Sequence, residues 1–229
     1  NFFYYFDPAL PSCDIEFAPD TSFSVRTLLP NQETYPEYDL LVADGTVTAA
    51  IIFGAAESGA VHGGDWGVMM WRTFEANLRI NDFVKTDADI EGNRYVRTQG
   101  GINQVIDVIN PYVLEEHGDS AEQLFAQLLS THELIFYNGH SFYGSLDVLK
   151  NADHYPPETY QILFMNSCWS YEYYTRQVSD ARRTDADPEG WRLADVVNNT
   201  TYAYFVQMEQ SSRVLLFNLL AGAVSLGAD

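Results

Sequence analysis

Residues 133–168 read ELIFYNGHSFYGSLDVLKNADHYPPETYQILFMNSC, and two runs within them, ELIFYN (133–138) and YQILFMN (160–166), decide the fold. Both are short, apolar and followed by small polar residues, so both are read as central strands. The segment between them carries a glycine-marked loop with one expected helical turn, and it exceeds the dozen or so residues that a parallel crossover needs. Two reactive residues come next: His140 follows the first run and Cys168 follows the second. If the strands are neighbours, about 4.8 Å apart, an imidazole and a thiol at their ends face a common carbonyl. Ligands of open α/β sheets bind at this edge, where loops and helix N-termini converge.

Outward from this stretch, TVTAAIIFGAA (46–56) reads as another buried parallel strand, and the loop ESGAVHGGDWG (57–67) leads into Met70, Trp71, Phe74 and Leu78 at helical spacing. Residues 93–109 read as two extended pieces around Gly100 and Gly101. Ser120 and Gln123 form a capping box ahead of the stripe Ala121, Leu124, Phe125, Leu128 and Leu129. WSYEYYTRQV (169–178) reads as a helix, and a thiol at a helix N-terminus ionises more readily. The tail is read as a short helix near Leu193–Val197, a strand TYAYFVQ (201–207) and a final apolar helix from Ser212. Strands alternate with helices, which predicts an α/β three-layer sandwich with a mostly parallel central sheet over residues 46–229. Residues 1–45, dense in aromatics and broken by five prolines, read as an N-terminal extended arm rather than a helix.

The 229 residues are 46% hydrophobic and 14% aromatic, which excludes a disordered or low-complexity chain. Twelve Lys plus Arg against 32 Asp plus Glu give a formal charge of −20, so a phosphate backbone is repelled and nucleic acid is not an expected partner. Lys85 and Lys150 are the only lysines, a composition that suits an extracytoplasmic setting: secreted, periplasmic or cell envelope. The chain opens on Asn1 without a charged segment ahead of an apolar run, as expected of a mature or trimmed chain. Val214–Leu226, the longest apolar stretch, is interrupted by Asn218 and Ser225 and falls short of the roughly 20 residues of a membrane span. Cys13 and Cys168 are too few for a disulfide scaffold, and the oligomeric state and redox compartment stay open. His62, His117, His132, His140 and His154 lack zinc-site spacing, so no metal or cofactor is expected. Asp180, Asp185, Asp187 and Glu189 offer carboxylates to calcium, but without the EF-hand pattern the group reads as a solvated acidic loop.

The strings IFYNGHS and ILFMNSCWS, apolar strands ending in His and in Cys, resemble the caspase-like cysteine peptidase superfamily of caspases, legumain, clostripain and gingipains. Gly139 before His140, the short interval and the downstream LADVVNNTTYAYFVQ are most similar to the gingipain-type branch. The resemblance implies hydrolysis of a polypeptide substrate through a thioester acyl-enzyme, with Cys168 as nucleophile and His140 transferring a proton to the leaving amine. It places the oxyanion on the backbone N–H groups of Cys168 and Ser141. Relatives have Gly where this chain has Ser141, so a strained backbone and an altered oxyanion hole are expected there. Family members shape their first specificity pocket from the loop after the first strand; here Asp65, Glu57 and His62 would bind substrate and favour a basic residue before the scissile bond. His62 and Asp65 would alternatively orient His140.

Two other readings compete. GHSFYG resembles the nucleophile elbow of α/β-hydrolases, with Ser141 as a serine nucleophile, but Tyr143 stands where a glycine is needed and no late histidine follows. A catalytically inactive binding module of the cell envelope, using FFYYF and WSYEYY as a recognition face, keeps the fold without turnover.

Overall fold

The structure, a computed structural model, describes residues 36–88 and 90–226. Most of the expected arm, residues 1–35, lies outside them, as does Cys13. Residues 36–45, the described part of the arm and expected to be extended, contain a helical turn, α1 (Tyr38–Leu41), with Tyr38 and Leu41 buried.

The strands are β1 (Thr46–Phe53), β2 (Val84–Thr86), β3 (Asn93–Gln99), β4 (Ile102–Ile109), β5 (Leu134–Asn138), β6 (Gln161–Asn166) and β7 (Ala194–Asn198). They form one sheet in the order β2-β3-β4-β1-β5-β6-β7. The five from β4 to β7 in this order run parallel; β3 is antiparallel to both β2 and β4. The helices are α2 (Trp66–Ile80), α3 (Pro111–His117), α4 (Ala121–Thr131), α5 (Ser170–Ala181) and α6 (Phe205–Leu226). Alternation along the central strands builds two cores. Ala49, Ile51, Phe53, Leu134, Phe136, Ile162 and Phe164 pack with α2 and α6; Ala50, Ile52, Ile135, Tyr137, Leu163 and Met165 pack with α4 and α5. Apolar runs in β1, β5 and β6 follow from having helices on both faces.

Four local expectations fail. Leu193–Val197 is not a helix: its backbone pairs with β6 from Gln161↔Ala194 onward, and this pairing overrides an equally helix-compatible pattern. TYAYFVQ is not a strand. Residues 201–204 are irregular, and α6 starts at Phe205 rather than Ser212, its buried stripe running Met208, Ser212, Leu216, Leu219, Leu220 and Ala223. Ser120 makes no capping bond to α4; its Oγ donates to His117 O at 2.8 Å, because a 3-10 turn leads straight from α3 into α4. In the crossover from β5 to β6 there are three 3-10 turns in place of one helical turn.

At the amino ends of the strands, Glu133 accepts from Thr48 N (2.8 Å) and Thr48 Oγ1 (3.1 Å), tying β1 to the start of β5. Burial pushes its carboxyl from 4.5 up to about 7, against the pull of the two Thr48 donors. Between those pH values the folded chain keeps a proton that the unfolded chain has released, so this group makes stability fall as pH rises from about 4.5 to about 7. Glu133→Gln keeps an acceptor for Thr48 and cannot ionise. Its melting temperature relative to wild type is expected to climb across that interval and level off above it, as read by thermal denaturation in a pH series; a constant difference would refute the burial effect.

Candidate active site

The carboxyl ends of β5 and β6 are held in register by their last residues. Asn138 and Asn166 are register partners, and Asn166 Nδ2 donates to Asn138 Oδ1 at 2.9 Å. Asn138 Oδ1 also accepts from Ser212 Oγ (2.6 Å), and Asn138 Nδ2 donates to Ile52 O (3.4 Å). Asn166 Nδ2 reaches Ser211 Oγ at 3.0 Å, and Asn199 Nδ2 donates to Asn166 Oδ1 at 3.1 Å. This network, buried at its centre, ties together β1, β5, β6, the segment after β7 and the first half of α6. His140 and Cys168 each stand two residues beyond a member of the Asn138–Asn166 pair.

His140 is exposed, and its backbone is fixed from below. The Tyr137 hydroxyl donates to His140 O at 2.9 Å. That ring passes so close beneath Gly139 that a Cβ there would fall 2.6 Å from Tyr137 Oη, which explains the glycine before the histidine. His140 Nε2 lies 2.9 Å from Ala56 O, in the loop after β1. A carbonyl only accepts, so Nε2 carries the hydrogen, and the neutral ring keeps its lone pair on Nδ1. Phe205 packs edge-on against the imidazole at 5.0 Å between centroids, and Phe142 at 6.2 Å.

Cys168 is a half-buried free thiol whose Sγ donates to Ala203 O at 3.6 Å and accepts from Ala203 N at 3.5 Å. Imidazole and thiol therefore bond to different segments, and among the described residues no hydrogen bond joins them. They share one short segment: Ala203 meets the sulfur and Phe205 meets the ring, two steps of chain spanning at most about 7 Å. The helix expected after Cys168 is α5. Trp169 N and Tyr171 N at its start donate to Thr201 O and Asn199 O, so the segment before α6 also caps it.

The expected strain at Ser141 is absent. Its φ is −78°, ordinary for an L-residue. Positive φ falls instead on Phe142 (45°), Tyr143 (51°) and, after the cysteine, Trp169 (55°). Left-handed backbone costs about 1–2 kcal/mol per non-glycine residue, and three of the four such residues among those described flank His140 and Cys168. Among the described residues, neither Ser141 N–H nor Cys168 N–H has a hydrogen-bond partner.

A cleft of about 610 Å³ opens beside His140, floored by Ile52, Phe125, Tyr137 and Leu146, with Glu57, Glu115, Glu122 and Asp147 also in its wall. Of the acids expected to bind substrate, Glu57 lines this cleft. Asp65 does not: it is 1% exposed, forms the N-cap of α2, and its oxygens accept from Ala56, Glu57, Gly67 and Val68 N–H. Burial opposes ionisation of Asp65, but these four donors outweigh it and hold the carboxyl below its usual range. Enclosed in this way, Asp65 is not a substrate contact. His62 turns to Glu57 (Nε2 to Oε2, 3.1 Å) and not to His140, so it does not orient the imidazole.

Among the described residues no group of three or more His, Cys, Asp or Glu converges as a metal site. Of the acids offered to calcium, Asp180 lies on α5 and not in a loop, pairing with Arg183 at 2.9 Å, and Asp187 accepts from Gly190 N (3.0 Å) and Arg192 N (2.8 Å). No helix among the described residues is long and apolar enough to cross a membrane.

A scan against protein-family models finds no match, and a search of curated proteins finds no similar sequence.

Sequence reasoning missed Ala56, Ala203, Phe205 and the asparagines. The signal for the last was present: YNGH and MNSC carry Asn two positions before His140 and before Cys168. Asn166→Ala removes its bonds to Asn138, Ser211 and Asn199 and is expected to lower stability by about 0.5–1.5 kcal/mol for each, read as a lower denaturant midpoint at unchanged m-value. A loss below 1 kcal/mol in urea titration would show that the network does not hold the strand ends.

Proposed function

We propose that this chain is a caspase-like cysteine endopeptidase with Cys168 as nucleophile and His140 as its acid–base partner. The observation that carries the reading is the Asn138↔Asn166 register, which brings a histidine and a cysteine off adjacent parallel strands at equivalent positions. The fixed tautomer supports it further, since an Nε2–H held by Ala56 O leaves Nδ1 as the ring's base.

In this mechanism the thiol leaves Ala203 O and gives its proton to Nδ1 of His140. The thiolate then attacks the scissile carbonyl carbon, and the C=O π pair moves onto oxygen, where the unpartnered Ser141 and Cys168 N–H groups receive it. Collapse expels the amine, which takes the proton from His140 and leaves a thioester. Water, deprotonated by His140, attacks the thioester and releases the acid and the thiol. The acids of the cleft wall favour a basic residue before the scissile bond; Glu57 keeps that role and Asp65 loses it. The lysine-poor, acidic composition supports an extracytoplasmic setting.

A peptidyl chloromethyl ketone is expected to alkylate Cys168, with no labelling in Cys168→Ala and labelling about 10²–10⁴-fold slower in His140→Ala. Cys168→Ala should also abolish peptide hydrolysis while leaving the melting temperature near wild type. Reaction of a fluorophosphonate at Ser141 would replace the proposal with a serine hydrolase, and inertness to both probes would replace it with a binding module. The thiol's double contact with Ala203 and the exposed aromatic side chains of Phe142, Tyr143, Tyr202 and Tyr204 are the observations that favour the binding module.

A further inference from the structure

We propose that Asp65 is a positioning residue for His140, acting through the peptide group between Ala56 and Glu57. Asp65 Oδ2 accepts from Glu57 N at 2.9 Å, and the carbonyl of that same peptide, Ala56 O, accepts from His140 Nε2 at 2.9 Å. One rigid amide thus has a buried carboxylate on its N–H and the imidazole on its C=O. Hydrogen bonds in series polarise one another, so a negative acceptor on the N–H makes the carbonyl a stronger acceptor for the ring. The proposal rests on the reading of His140 as the acid–base group.

The rest of the carboxylate's surroundings fix the geometry of this relay. Asp65 also accepts from Ala56 N at 3.1 Å through Oδ1 and 3.0 Å through Oδ2, so the loop is gripped on both sides of the Ala56 carbonyl. Oδ1 in addition takes Gly67 N (2.7 Å) and Val68 N (3.3 Å), anchoring the clamp to the first turn of α2. Gly67 lets that turn come up against the end of β1, since a Cβ there would collide with Gly54 O. Gly54 N in turn donates to Asn138 O at 2.8 Å, beside the strand end that carries the histidine. The peptide that meets His140 is therefore fixed to α2, β1 and β5 together, and Asp65 is the group common to the loop and α2.

The two oxygens divide the work, and this makes the idea testable. Asp65→Asn keeps an oxygen for Gly67 and Val68, and asparagine caps helices as well as aspartate does. It also turns an NH₂ toward the N–H of Glu57, which only Oδ2 serves, and so breaks the relay while Oδ1 stays within reach of Ala56 N. The readout is the imidazole ¹⁵N spectrum of His140 in the full-length Cys168→Ala chain, assigned by comparison with His140→Gln. The Cys168→Ala chain is expected to hold the Nε2–H tautomer; adding Asp65→Asn should bring the two tautomers to within about threefold of each other, a shift of the size of one hydrogen bond. In the Cys168-containing enzyme, kcat for peptide hydrolysis should fall about tenfold with KM changed less than about twofold, because the bond being weakened serves the transition state.

If Asp65→Asn does not fold, Glu57→Pro removes the same N–H while leaving the cap bonds in place, and the same tautomer shift is expected. A folded variant of either kind with His140 still held as Nε2–H would overturn the proposal. A tautomer shift in a chain that hydrolyses no peptide would uphold the relay and remove only the peptidase reading.

Discussion

The amide of Asn166 bonded to the amide of Asn138 is the contact on which the candidate site depends. It lies between two parallel strands at the level where their chains leave the sheet. It therefore sets the separation and phase of everything that follows, His140 on one side and Cys168 on the other. A buried side-chain amide is costly when unpaired, and here every arm has a partner drawn from a different element: Ile52 O on β1, Ser211 and Ser212 on α6, Asn199 after β7. A fully satisfied polar network specifies one arrangement far more sharply than an apolar contact of equal area would. The same network places the start of α6, from which Phe205 reaches the imidazole, and the segment whose Ala203 reaches the thiol.

Local strain collects around this frame. Phe142, Tyr143 and Trp169 adopt left-handed backbone conformations that aromatic residues rarely visit, and they directly follow the histidine and cysteine loops. Such conformations persist only where surrounding structure over-determines them. Here the Tyr174 hydroxyl bonds to Ser141 O and Gln177 Nε2 to Gly144 O at 2.9 Å, so α5 grips both ends of the histidine turn. The serine that stands in for glycine is accommodated because the left-handed residues come one and two positions later.

The central sheet was legible in the sequence because β1, β5 and β6 are buried on both faces and read as unbroken apolar runs. The small polar residues at the exits of β5 and β6 pointed to His140 and Cys168 without any contact information. What could not be read was set by tertiary pairing. Leu193–Val197 has a helix-compatible pattern and becomes a strand only because β6 offers it an edge, and TYAYFVQ has strand composition but begins a helix at Phe205. Asp65 looked like a substrate acid because the sequence gives its charge and hides its four backbone donors. The orienting role weighed for it also lies beyond what spacing can show, since it passes through a main-chain amide that no side-chain pattern reports.

The Asn138–Gly139 dipeptide has one more consequence, for how the molecule ages. In a mobile chain, an asparagine followed by glycine cyclises and loses ammonia readily, because the next backbone nitrogen can attack the side-chain carbonyl unhindered. Here the Asn138 amide is sealed in the core, with its oxygen held by two donors and its nitrogen on Ile52 O. Conversion to aspartate would set a carboxylate against that carbonyl and unpick the strand ends. Folding thus shields the bond most prone to chemical decay, and each transient opening of the sheet edge exposes it to an irreversible clock.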